Sequence, residues 1–163
     1  MENSGTILVV DNNEGVCEVI ETALRQHGFT VFVASGGRKA IKLFRERPID
    51  IVLMDVIMPD LSGPETLEML QSIHSDVSCF FMTASGGVRK ENLKGAIDVF
   101  EKPFRNFSEV VRIFAEIVDD GGTIKHPAHS PRRNTSRTEI KQATPSKLSL
   151  VPPERGYRFR LGF

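Results

Sequence analysis

The chain has 163 residues, 40% of them hydrophobic, with 21 basic and 21 acidic side chains. That is enough for one domain with a packed core plus an extension, and the absence of an apolar run of about eighteen residues excludes a helical membrane span. The zero net charge hides an asymmetry: residues 1–118 carry 12 Lys+Arg against 17 Asp+Glu, a net −5, while residues 119–163 carry 9 against 4, a net +5. The chain therefore reads as an acidic globule with a basic tail.

The N-terminus, MENSGTILVVD, has neither the basic start nor the long apolar stretch of a signal peptide. Thr6 to Val10 is a β-branched apolar run that ends at Asp11, the pattern of a fully buried strand. From Glu14 to His27, apolar residues at Val16, Val19, Ile20, Ala23 and Leu24 mark one face of a helix. Its start is acidic and its end basic, which suits the helix dipole, and Gly28 is a natural terminator. Cys17 falls in this helix and Cys79 in a later strand. Their spacing fits no metal motif or disulfide framework, so two buried thiols in a reducing cytoplasm are expected. Phe29 to Ala34 reads as a strand, Ser35-Gly36-Gly37 as a turn, and Ala40, Ile41, Leu43 and Phe44 as a helix that must stop by Pro48.

Asp50 to Met54 is a short apolar run between Pro48 and a turn-rich segment, so it reads as a buried central strand ending on Asp55. Pro59, Asp60, Ser62 and Gly63 form a loop, and Pro64 sits where a helix begins, with Leu67, Met69, Leu70 and Ile73 as its apolar positions. Val77 to Met82 is the next strand and ends at Thr83. A weak helix over about 88–94 and a short strand over Ala96–Phe100 lead to Lys102-Pro103-Phe104. Ser108 is positioned to cap a last helix with apolar residues from Val110 to Val118. Strict alternation of strand and helix predicts a doubly wound parallel sheet with helices on both faces.

Four strands thus end on Asp11, Asp55, Thr83 and Lys102, which a right-handed parallel wrap brings to one edge of the sheet. Two nearby carboxylates need a cation between them, and hard oxygen donors suit Mg²⁺. A carboxylate can attack phosphorus to form an acyl phosphate. The added negative charge would be neutralised by Mg²⁺ and the Lys ammonium, with the Thr hydroxyl donating a hydrogen bond. These residue types fit a metal-assisted phosphoryl acceptor.

Residues 5–118 resemble the receiver domain of bacterial two-component response regulators. The resemblance is carried, in order, by ILVVD ending at Asp11, IVLMDVIMPDLSG around Asp55, FFMTA at Thr83, and EKPF with Lys102-Pro103; together these are specific where each alone is weak. It implies a flavodoxin-like five-stranded sheet of order 2-1-3-4-5. It also implies Asp55 as phosphoacceptor, Asp11 as metal-site acid, the Ile57 backbone carbonyl as a metal ligand, Thr83 as switch hydroxyl and Lys102 as the lysine that pairs with the phosphoryl group. Pro103 would follow a cis peptide bond. The implied cofactor is Mg²⁺, and the implied partners are a histidine kinase or histidine phosphotransfer protein and a downstream protein.

Two positions depart from the family pattern. Asn12 replaces the usual second acid, which predicts weakened Mg²⁺ binding. The switch-aromatic position, three residues before the lysine, holds Val99, with Phe100 one residue later. Ile57 adds an apolar β-branched side chain two residues past Asp55, which would shield an acyl phosphate from water. Asn12 and Asn13 are also natural caps for the first helix. The histidines (His27, His74, His126, His129) read as surface or tail residues, and Met54, Met58, Met69 and Met82 as core filler.

The expected organisation is a receiver over residues 1–118 and a basic, disordered tail over 119–163 with no recognisable output domain. The closing RGYRFRLGF interleaves basic and aromatic residues, but a solvated tail explains it better than nucleic-acid binding. A single-domain, cytoplasmic response regulator is the leading expectation: a phosphoacceptor switch that acts through protein contacts rather than a turnover enzyme. A phosphorylation-independent docking module is the alternative. An aspartyl-phosphate hydrolase of the haloacid-dehalogenase type is disfavoured, because the positions two residues after Asp11 and Asp55 are Asn13 and Ile57 rather than acids. A flavodoxin-like electron carrier is disfavoured because the loop DNNEG lacks a hydroxyl- and glycine-rich phosphate cradle.

Overall fold

The structure is a computed structural model that describes residues 5–84, 88 and 93–120. It consists of β1 (Thr6–Val10), α1 (Glu14–Gln26), β2 (Thr30–Ala34), α2 (Gly37–Glu46), β3 (Ile51–Asp55), α3 (Gly63–Ile73), β4 (Ser78–Thr83), β5 (Asp98–Glu101) and α4 (Phe107–Asp119). The sheet order is β2-β1-β3-β4-β5, with every neighbouring pair parallel. This is the doubly wound order expected from the sequence.

Alternation along the inner strands divides the core into two layers. Ile7, Val9, Ile51, Leu53, Phe80 and Met82 face one way and pack on Cys17, Ile20 and Leu24 of α1 and Val110, Phe114 and Ile117 of α4. Leu8, Val10, Val52, Met54, Cys79 and Phe81 face the other way and pack on Ala40 and Ile41 of α2 and Leu67 and Leu70 of α3. β1 and β3 are buried throughout, which is why both read as continuous apolar runs. Both cysteines are buried free thiols. Burial holds Cys79 well above the ordinary thiol value, and burial next to Asp11 pushes Cys17 up to about 11.

Several local expectations are corrected. The last strand is Asp98–Glu101 rather than Ala96–Phe100. Ile97 donates its N–H to the Cys79 carbonyl at 2.8 Å, but the ladder proper pairs Phe80–Thr83 with Asp98–Glu101. Ser108 does not cap the last helix: α4 starts at Phe107, its N-cap is Asn106, and Asn106 makes no side-chain cap bond. The Phe107 ring packs edge-on against Phe104, with centroids 5.5 Å apart, which draws this residue into the first turn. Val19 and Met69, expected inside, are 70% and 44% exposed. In α1 the buried positions are instead Cys17, Ile20 and Leu24, one turn and two turns apart on a narrower stripe.

The helix expected over about 88–94 lies mostly outside the described residues. The tail beyond Asp120, with His126, His129 and RGYRFRLGF, lies wholly outside them. Among the described residues, no helix is long and apolar enough to cross a membrane.

Candidate functional site: a carboxylate and lysine cluster at the strand ends

Asp11 follows β1 directly, Asp55 and Thr83 close β3 and β4, and Lys102 follows β5. Backbone hydrogen bonds hold these ends level: Asp11 N–H to the Ala34 carbonyl at 3.1 Å, Val56 N–H to Met82 at 3.1 Å, and Lys102 N–H to Thr83 at 2.8 Å. The sheet itself, rather than any local motif, therefore sets the spacing of the side chains.

The Lys102 ammonium bridges the two carboxylates, donating to Asp11 Oδ2 at 2.8 Å and to Asp55 Oδ2 at 3.0 Å. Asp11 is almost fully buried, at 1% exposure. Its other oxygen, Oδ1, accepts the Asn13 N–H at 2.8 Å. Asp55 Oδ1 faces the Ile57 N–H at a longer 3.5 Å. Burial opposes the Lys102 charge, but the hydrogen bonds and charges of Asp11 and Asp55 outweigh it and hold this lysine above its ordinary value. Thr83 is buried, at 2% exposure, and the Lys102–Pro103 peptide bond is cis.

The flanking turns are shaped by caps. Asn13 is the N-cap of α1 and accepts the Val16 N–H, whereas Asn12 is exposed beside Asp11. Ser62 caps α3 through a reciprocal box with Glu65. The Ser62 N–H donates to Glu65 Oε2 at 2.8 Å and its hydroxyl at 2.6 Å. These bonds with Ser62 hold Glu65 below the usual carboxylate range. Gly63 sits so close behind Asp55 that a Cβ there would lie 2.5 Å from the Asp55 carbonyl oxygen and 2.6 Å from the Phe81 ring, so only glycine fits.

Val99 and Phe100 point to opposite faces. Phe100 belongs to the α1/α4 layer and stacks on Phe80, with centroids 5.4 Å apart and planes at 12°. Val99 packs in the α2/α3 layer opposite Phe81. By alternation Thr83, two residues past Phe81, shares the Val99 face.

A cavity of about 900 Å³ opens beside the cluster. Asp11, Asn12, Asp55 and Lys102 form its polar end, and Val16, Val19, Phe104 and Phe107 form its apolar flank. This apolar flank is not evident from the sequence, where Phe104 and Phe107 both precede Ser108, the expected cap of the last helix. The capping box did carry a local signal, Ser62 followed three residues later by Glu65.

Hard oxygen donors suit a divalent cation here. Two carboxylate oxygens already converge on one positive charge, the Lys102 ammonium. Among the described residues there is no group of three or more His, Cys, Asp or Glu that could hold a metal. A cation there would draw on the two acids, Asp11 and Asp55, together with nearby carbonyl or carboxamide oxygens.

A parallel 2-1-3-4-5 sheet with two acids, a threonine and a lysine at its carboxyl edge has the make-up of a receiver-type domain. Residues 7–114 match the response regulator receiver domain family, and the chain belongs to that family. ZraR of Escherichia coli O157:H7, a transcriptional regulatory protein, is 38% identical over 100 residues, covering 60% of this chain and 23% of ZraR. The probable transcriptional regulatory protein TcrX of Mycobacterium tuberculosis is 32% identical over 121 residues, covering 72% of this chain and 52% of TcrX. The chain thus spans about a quarter to a half of these relatives. Among solved structures, Thermotoga maritima TrrA, a response regulator in complex with Mg²⁺-BeF, is 26% identical with a TM-score of 0.62, covering 68% of this chain and 98% of that one.

Proposed function

We propose that residues 1–118 form a phosphoacceptor switch in which Asp55 takes a phosphoryl group from a histidine kinase or histidine phosphotransfer protein. One observation carries this reading: a single ammonium, Lys102, bridges the Asp11 and Asp55 carboxylates where three strand ends meet. An Asp55 carboxylate oxygen attacks the donor phosphorus. The new P–O bond gives an acyl phosphate, and the bond from phosphorus to the donor breaks, its electron pair leaving with the donor imidazole.

Lys102 then exchanges its Asp55 contact for the phosphoryl oxygens and neutralises part of the added charge. Thr83 donates its hydroxyl to the same group. Mg²⁺ would be held by Asp11, Asp55, the Ile57 backbone carbonyl and the Asn12 carboxamide oxygen, and it would supply neutralisation of the negative charge gathered at the site. Phosphorylation changes the charge at the strand ends and so biases the surfaces that meet a downstream protein.

Asn12 leaves this site one negative charge short of the family pattern. The Asn12→Asp variant is expected to bind Mg²⁺ more tightly than the wild type in a calorimetric titration, and equal affinities would refute that role for position 12. The phosphoacceptor reading itself is tested with labelled acetyl phosphate. A label that hydroxylamine releases, present on the wild type and absent from Asp55→Asn, supports it; a hydroxylamine-resistant label contradicts it. A docking module that needs no phosphorylation is the second reading. It draws on Val99, an aliphatic residue where the family carries its switch aromatic.

A further inference from the structure

The first turn of α2 is capped from a distance. Its own N-cap, Gly36, makes no side-chain bond, and the turn contains no acidic residue. Asp60, in the loop that follows the acceptor strand, fills that role. Its Oδ1 accepts the Gly37 N–H at 3.1 Å and its Oδ2 accepts the Arg38 N–H at 2.9 Å. Two donors left open by helix geometry are thereby satisfied, with a negative charge at the positive end of the dipole.

The fit is close. A Cβ at Gly36 would meet the Asp60 carboxylate first, 2.6 Å from Oδ1 and 2.9 Å from Cγ. A side chain at position 36 and the carboxylate of residue 60 compete for the same space. Glycine at 36 is thus what lets a residue 24 positions further on cap this helix.

The same loop carries Ile57. It leaves β3 through the Val56 N–H bond to Met82 and closes through the Gly63 N–H bond to Val56 at 2.9 Å. Between those two bonds, Met58 is buried in the α2/α3 layer and the Ile57 side chain is 69% exposed. The paired bonds of Asp60 are the polar anchor of that intervening stretch.

We propose that Asp60 is a positioning residue for the Asp55 centre: its bond to the start of α2 tethers the 57–61 loop and holds the Ile57 backbone in place for cation binding. This rests on the reading of Asp55 and Asp11 as an Mg²⁺-dependent acceptor site. Asp60 acts through the loop rather than by touching the reacting atoms. Loss of an outer support of this kind lowers metal affinity by about tenfold or more.

Capping and tethering are separated by two variants of the full chain. Asp60→Ala removes both functions. It is expected to lower the melting temperature by several degrees and to weaken Mg²⁺ binding about tenfold. In the double variant Gly36→Ser with Asp60→Ala, the space vacated by the carboxylate admits a serine at the N-cap, which restores the cap locally but leaves the loop untied. Its melting temperature should recover while its Mg²⁺ affinity stays weak. Ile41→Val, in the buried face of α2, should lower the melting temperature and leave the affinity unchanged. Calorimetric titration with MgCl₂ reads all three against the wild type. An Asp60→Ala affinity equal to the wild type, or an affinity that recovers with the melting temperature in the double variant, overturns the tether. A wild type that takes up no Mg²⁺ overturns the site reading itself, and the tether with it.

Discussion

The two faces of the sheet are packed by different materials. Between the sheet, α1 and α4, rings dominate: Phe80, Phe100, Phe104 and Phe114 sit with neighbouring centroids 5.1 to 6.4 Å apart. Between the sheet, α2 and α3, the layer is mostly aliphatic, with Phe81 as its fully buried ring. The aromatic chain reaches the functional edge through Phe100 and Phe104, which flank Lys102 and Pro103 in sequence. On the other face the edge is held by polar caps, Ser62 for α3 and Asp60 for α2. Lys102 is thus backed by a rigid ring cluster, while the loop after Asp55 is fastened by hydrogen bonds to charged groups. The contrast separates a structural layer held by ring packing from one whose edge is held by polar caps.

The largest expected effect tests the structural layer. Phe114 is fully buried and touches three other rings, so Phe114→Ala should cost about 3–5 kcal/mol in a urea melt. A loss below about 1 kcal/mol would show that this face does not depend on its rings.

Lys102→Gln comes next, because it leaves Asp11 buried without its cation. Phosphoryl transfer should be lost, and the pH profile should change in a defined way. In the wild type the folded-state value of Lys102 is raised above the ordinary 10.5. The stability it contributes is therefore complete below about pH 10 and falls away as pH climbs through the raised value. The variant should lack that alkaline decline, and an identical decline in both proteins would remove Lys102 as its source.

A smaller effect sharpens the distinction between the faces. Phe100→Leu removes ring stacking worth about 0.5–1.5 kcal/mol and should leave the rate of phosphorylation unchanged. If that rate falls while Val99→Ala leaves it untouched, Phe100 has taken over switching from the other face. The smallest effect on stability comes from Ile57→Asn, an exposed site. Its signature is kinetic: a several-fold shorter acyl-phosphate lifetime, followed by the decay of the phosphorylated mass.

Much of this arrangement was legible in the residues. β1 and β3 announce themselves because both of their faces are buried, and the four polar strand ends follow from parallel topology alone. β5 starts two residues later than its apolar run implies because it is an edge strand with exposed ends, so the apolar pair Ala96-Ile97 misleads where the register with β4 decides. The start of α4 was misread because serine is a common cap, whereas ring packing of Phe107 on Phe104 decides the first turn. Asp60 carried no local signal at all. Its partners lie 22 and 23 positions earlier, and only the fold brings them together. The spacing identified Val99 as a departure, but the assignment of Val99 and Phe100 to opposite layers needed the strand register.

Intact-protein mass spectrometry distinguishes Asp55 as phosphoacceptor from an unmodified or differently modified chain. The full chain would be incubated with Mg²⁺ and either acetyl phosphate or phosphoramidate, with Asp55→Asn run in parallel. The prediction is one added phosphoryl group on the wild type, decaying with time, and none on the variant. An unmodified wild type with both donors, or the same adduct on Asp55→Asn, would contradict the assignment of Asp55 as the acceptor.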